Sequence, residues 1–141
     1  MRLALDEARR AMEAGEVPVG AVIVSPKGRV TGRGHNLTEA LADVSAHAEM
    51  QALTAASSTL GGKYLTGCTI YVTVEPCLMC AGALGWSQIS RVVYGASDPK
   101  RGYRSYHPER SPFHPRTTVT AGVLEEECAQ LMRDFFSNKR I

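Results

Sequence analysis

The stretch Thr69-Ile70-Tyr71-Val72-Thr73-Val74-Glu75-Pro76-Cys77-Leu78-Met79-Cys80 decides the fold, because it holds a strand, a stop and a helix start in immediate succession. Its first six residues are β-branched, apolar or aromatic and form the strongest strand signal in the chain, suited to a pleated, half-buried surface. Pro76 ends that run and favours the first turn of a helix, so the spacing predicts a helix carrying Cys77, Met79, Cys80, Ala83 and Leu84. Upstream, Ala48, Met50, Ala52, Leu53 and Ala56 recur among good helix formers, predicting a helix over about 47–59 that stops at Gly61-Gly62. Before it, Pro18 to Val24 and Val30 to Gly34 read as a hairpin joined by Ser25-Pro26-Lys27-Gly28. Leu3, Leu5, Ala8, Ala11 and Met12 predict an opening helix over 2–14, with Gly15 as its stop. No capping residue precedes Leu3, so that helix is expected to begin upstream of Met1 in the natural protein. Downstream, Arg91-Val92-Val93-Tyr94-Gly95 repeats the step from strand onward, followed by a long polar loop and a last helix near 123–138. Successive strand-to-helix steps imply an α/β sheet with a parallel portion and helices packed over it.

With 141 residues, 44% of them hydrophobic and 21% charged, the chain suits a single folded domain over 1–141 and lacks the composition of a disordered segment. No apolar run approaches the ~20 residues needed to span a bilayer, and the N-terminus turns acidic at once, unlike a secretory signal. A cytoplasmic address follows as the expectation. The net charge of +2 neither requires nor excludes a nucleic-acid partner, so charge is informative only locally. Between Asp98 and Arg116, the five cations Lys100, Arg101, Arg104, Arg110 and Arg116 face only Asp98 and Glu109. Tyr103, Tyr106 and Phe113 are interleaved with them, a composition suited to phosphate attraction and base stacking. The competing account is a solvated, proline-bounded loop whose rings pack on the sheet or on a second copy.

His47-Ala48-Glu49 and Pro76-Cys77-Leu78-Met79-Cys80 both fall at predicted helix starts. There, exposed N–H groups and the helix dipole favour thiolate over thiol, which is the metal-ligating form. A Cys-x-x-Cys pair alone fits redox chemistry, structural zinc or chance. Combined, the two segments match the His-x-Glu and Pro-Cys-x-x-Cys signature of zinc-dependent nucleobase deaminases. One His and two Cys leave a fourth position of Zn2+ for water, and Glu49, not counted as a ligand, suits the proton shuttle. The reaction implied is hydrolytic release of ammonia from an amino-substituted ring carbon. Cys68 and Cys128 are expected to be buried thiols packing as small hydrophobes. A fourth ligand from Cys68 or His35 would instead close the site and make the chain a structural zinc module.

Glu16-Val17-Pro18-Val19-Gly20-Ala21-Val22, Gly34-His35-Asn36, His47-Ala48-Glu49-Met50, Glu75 through Ala83, and Gly95-Ala96-Ser97-Asp98-Pro99-Lys100 together resemble the bacterial tRNA-specific adenosine deaminases. The likeness resumes at Glu127-Cys128-Ala129 and Asp134-Phe135-Phe136, beside Lys139-Arg140. It implies the three-layer α/β/α cytidine-deaminase-like fold, with a central mixed sheet of about five strands and helices on both faces. It further implies a homodimer, a tRNA anticodon loop as partner, and conversion of the wobble adenosine to inosine. By motif it assigns zinc to His47, Cys77 and Cys80, proton shuttling to Glu49, and base or ribose contacts to Asn36, the Ala48 N–H and Val19. Asp98, Lys100, Arg101, Arg104, Phe135 and Phe136 become the RNA-contact candidates, with one of the two phenylalanines expected in the core. Guanine, cytosine, cytidine and deoxycytidylate deaminases share the zinc signature, so a free base or nucleoside is the alternative substrate. In the tRNA family a Gly-Ala-Ala-Gly-Ser type loop usually follows the Asp-x-Lys-x-Gly segment, whereas residues 102–116 here depart from it.

Overall fold

In the computed structural model, which describes residues 1–139, the Thr69–Val74 run is the middle strand of a five-stranded mixed sheet. The elements in chain order are α1 (Arg2–Glu13), β1 (Gly20–Val24), β2 (Val30–His35), α2 (Ala48–Leu60), β3 (Thr69–Val74), α3 (Leu78–Trp86), β4 (Arg91–Ala96), a 3-10 turn at Tyr103–Tyr106, β5 (Thr118–Thr120) and α4 (Glu125–Lys139). The strand order is β2-β1-β3-β4-β5, antiparallel through β3 and parallel from β3 to β5. β5 lies within the segment expected to be loop. Three residues, two of them exposed, on a sheet edge carry too little alternation to announce a strand.

Alternation along β1 sets the two layers. Gly20 faces α1, where a Cβ would collide with the backbone of Ala4 and Ala8, whereas Ala21 and Ile23 enter the core with Ala48, Ala52 and Ala56 of α2. α1 and α4 touch each other on one face of the sheet, and α2 and α3 do so on the other. The larger core therefore lies between the sheet and α2 and α3, where Ile70, Val72, Val92 and Tyr94 meet Leu53, Leu65 and Leu84.

The polar segment after β4 is folded onto this core. Tyr103 and Phe113 are buried and meet edge-on, with ring centroids 5.0 Å apart, in the same cluster as Leu84 and Tyr94. The base-stacking expectation fails for these two rings, which lose more water-exposed apolar surface in the core than on a loop. Tyr106 remains exposed. Cys68 and Cys128 are buried free thiols, as their apolar neighbours predict.

The strand directions place the loops that matter at one edge of the sheet. β3 and β4 both end there, and the pairings Gly20 with His35 and Ala21 with Val72 bring the start of β1 and the end of β2 to the same edge.

Candidate metal centre and adjoining groove

His47 and Cys77 are the capping residues at the starts of α2 and α3, both with extended backbone and neither using its side chain to cap the helix. Each carbonyl accepts the first helical hydrogen bond, from Gln51 N at 3.1 Å and Ala81 N at 2.8 Å. The imidazole and the thiol are thus left free to point into the space between the helix starts. Cys80, one turn into α3 and fully buried, points to the same place.

His47 Nδ1 stands 3.5 Å from Cys77 Sγ and 3.5 Å from Cys80 Sγ, and the three donor atoms lie within 4.8 Å of one another. Tetrahedral zinc with ordinary Zn–N and Zn–S bonds separates such ligand atoms by roughly 3.6 Å, so the donor set fits that ion. Among the described residues this is the group able to hold a metal; neither Cys68 nor His35 joins it. Cys68 lies in the core, and His35 Nδ1 is 3.9 Å from Glu7 Oε2.

The hydrogen bond from the Cys80 thiol, opposed by burial and aided by His47, holds the Cys77 thiol down to about 4. Sharing that proton with Cys77, together with burial, pushes Cys80 up, while the Cys77 contact raises His47. The pair thus keeps one proton, which a divalent cation would displace. Glu49 sits in the first turn of α2, 3% exposed, and burial pushes its carboxyl up to about 7.

His47, Glu49 and Cys77 line a cavity of about 240 Å3 together with Val17, Val19, Asn36, Ala48, Asp98 and Arg101. Asn36 N donates to Val19 O at 3.1 Å, which fixes those two candidates side by side. Ala48 is the first residue of α2, so its N–H is among the amides that the helix itself cannot satisfy. Through Val74, Asp98, Arg101 and Met132 the cavity adjoins a groove of about 710 Å3 between the loop after β4 and α4. Lys100, Arg101, Arg133 and Phe136 line that groove. Phe135 is buried and Phe136 is 45% exposed, the division expected of the pair. Arg104 lines neither space, and its guanidinium bonds to Glu75 at 3.1 Å. Arg140 lies outside the described residues.

Sequence reasoning gave no role to two buried carboxylates. Glu16, 1% exposed, accepts from Glu39 N at 3.0 Å and Ala40 N at 2.8 Å, and from Thr38 Oγ1 at 3.5 Å, while Asn36 Nδ2 donates to Thr38 Oγ1 at 3.4 Å. Burial opposes the Glu16 charge, but those donors outweigh it and hold the carboxyl below its ordinary range. Glu75, 4% exposed, accepts from Asp98 N and from Arg104, and despite burial is likewise held low. Each anchors one loop of the cavity. Charge alone gave no sign of this, since carboxylates are solvated by default.

The family model for the cytidine and deoxycytidylate deaminase zinc-binding region matches residues 1–96. The chain is 44% identical to a tRNA-specific adenosine deaminase of Agrobacterium fabrum over 146 residues, covering 100% of this chain and 94% of that protein. It is 46% identical to a tRNA(Ile)-lysidine synthase of Deinococcus deserti over 139 residues, covering 97% of this chain but only 26% of that longer protein. A solved structure from studies of A-to-I editing by tRNA:A34 deaminases at the wobble position of transfer RNA is similar with a TM-score of 0.86 and 44% identity, covering 93% of this chain and 96% of that one.

Proposed function

The chain belongs to the cytidine and deoxycytidylate deaminase zinc-binding family and, within it, to the tRNA-specific adenosine deaminases, and we propose that it converts adenosine to inosine at the wobble position of a tRNA anticodon. Water is consumed and ammonia released. His47, Cys77 and Cys80 would hold zinc, which when bound supplies Lewis-acid activation of the attacking water. Glu49 takes a proton from that water and delivers protons to the ring nitrogen and the departing amine. Val19, Asn36 and the Ala48 N–H hold the extruded base in a cavity whose volume suits one base.

The observation that carries this reading is the continuity between the small cavity and the basic groove. A free base or nucleoside has no phosphate for Lys100, Arg101 and Arg133 to meet and deoxycytidylate has only one, whereas an anticodon loop places phosphates on both sides of its extruded nucleotide. Asp98 turns the loop by accepting from Lys100 N and Arg101 N, and Phe136 offers a stacking face at the groove wall.

The reading takes residues 1–141 as one deaminase domain, which the single continuous sheet supports. Homodimerisation is supported by the apolar face that α3 leaves exposed at Leu78, Met79 and Trp86. Among the described residues no helix is long and apolar enough to cross a membrane, and a cytoplasmic location accords with a tRNA substrate.

The test is a panel of substrates: an anticodon stem-loop with adenine at the wobble position, guanine, cytosine, cytidine and deoxycytidylate. Inosine is expected in the stem-loop. Turnover of a free base or nucleoside without RNA activity would move the chain to the alternative substrate class.

A further inference from the structure

The end of β3 is tied to the loop after β4 by one buried carboxylate. Glu75 Oε1 accepts from Asp98 N at 3.1 Å and from Arg104 Nη2 at 3.1 Å, and Oε2 accepts from Arg104 N at 3.1 Å. The same Nη2 donates to Ser97 Oγ at 3.0 Å, and the guanidinium lies 5.5 Å from the centroid of the Tyr94 ring. Gly102 lies against the Glu75 carboxylate where a Cβ would clash, and it pairs with Cys77. Tyr103 N then donates to Pro76 O at 2.9 Å. Residues 97–104 therefore close on both oxygens of Glu75; Asp98, itself one closure point, and Lys100 and Arg101 between the two face the cavity or the groove.

We propose that Glu75 and Arg104 are positioning residues that latch the 97–104 loop at the mouth of the site, so that Arg104 serves RNA recognition through the loop and not by touching RNA. This rests on the tRNA reading above for its substrate, although the latch itself does not. An unlatched loop must be ordered again each time RNA seats, so its loss weakens binding, whereas the reacting groups on α2 and α3 keep their places.

The experiment compares Arg104→Ala, Arg104→Lys and Glu75→Gln with the parent enzyme, all loaded with zinc. In hydrogen exchange without RNA, Arg104→Ala and Glu75→Gln should lose protection at the Asp98 and Arg104 amides, and Arg104→Lys should retain part of it. On the stem-loop, Arg104→Ala should raise KM by roughly three- to tenfold with the cost falling on KM and not kcat, and lysine should restore part of the loss. The slope of log affinity against log salt should match the parent's, because no phosphate contact has been removed. A slope shallower by about one would show that Arg104 meets a phosphate, and unaltered amide protection would show that no latch exists; either overturns the proposal. The exchange arm decides the latch even where the stem-loop is not a substrate, an outcome that would count against the tRNA reading instead.

Discussion

Folding and the proposed proton-shuttle chemistry make opposite demands on Glu49. Burial pushes its carboxyl from 4.5 to about 7, with the Cys77 charge adding to the rise and His47 opposing it. Between those pH values the folded chain without zinc holds a proton that the unfolded chain has released. Its contribution to stability is full below about pH 4.5 and is lost as pH rises through 7. Glu49→Gln is neutral throughout, so in thermal unfolding of zinc-stripped protein it should exceed the parent by up to about 3 kcal/mol at pH 8, and the advantage should vanish below pH 4.5. The same substitution should lower turnover by a factor on the order of 100 to 10,000 while zinc stoichiometry stays at one, whereas Cys77→Ala should lose the metal. Near-parental turnover in Glu49→Gln would remove the proton-shuttle role.

At the scale of elements, the seat of α2 against β2 fixes where His47 and Glu49 stand. Gly32 and Gly34 face that helix, and a Cβ on either would strike its backbone, at Ala52 and Ala56 or at Ala48 and Ala52. Gly34→Ala should therefore destabilise the fold by about 1–3 kcal/mol and weaken zinc affinity, as read by chemical unfolding and chelator competition. Parental values for both would show that α2 is not held this closely. These elements also mark how far the sequence could be read. The β3 to α3 step and the α2 start were legible because their signals are local: a branched run, a proline, and ligand residues at helix starts. β5 and the 3-10 turn were not, and the burial of Tyr103 and Phe113 was only the lesser of two accounts, since all three depend on a sheet edge and core built from distant residues. Glu16 and Glu75 were hidden for the same reason, as only the folded chain shows which amides converge on them.

For the whole molecule the net charge of +2 says little, whereas its distribution says more. Arg110 and Arg116 lie in the loop yet outside both the cavity and the groove, while Arg133 reaches the groove from α4, far along the chain. Counting Lys100, Arg101 and Arg133 as the phosphate-facing cations, log affinity for a stem-loop should fall against log salt with a slope of about −2. A slope near zero would leave the groove without a role in RNA binding.

The cavity is built from two kinds of wall. Helix starts fixed by backbone contacts carry His47, Glu49 and Cys77, and the facing segments near residues 37–40 and 97–104 hang from Glu16 and Glu75. What the protein recognises is thus separable from what it does to it. Diversifying those two segments while sparing their carboxylate tethers would explore new substrates with the reacting centre intact, much as a tool accepts new jaws on an unaltered handle.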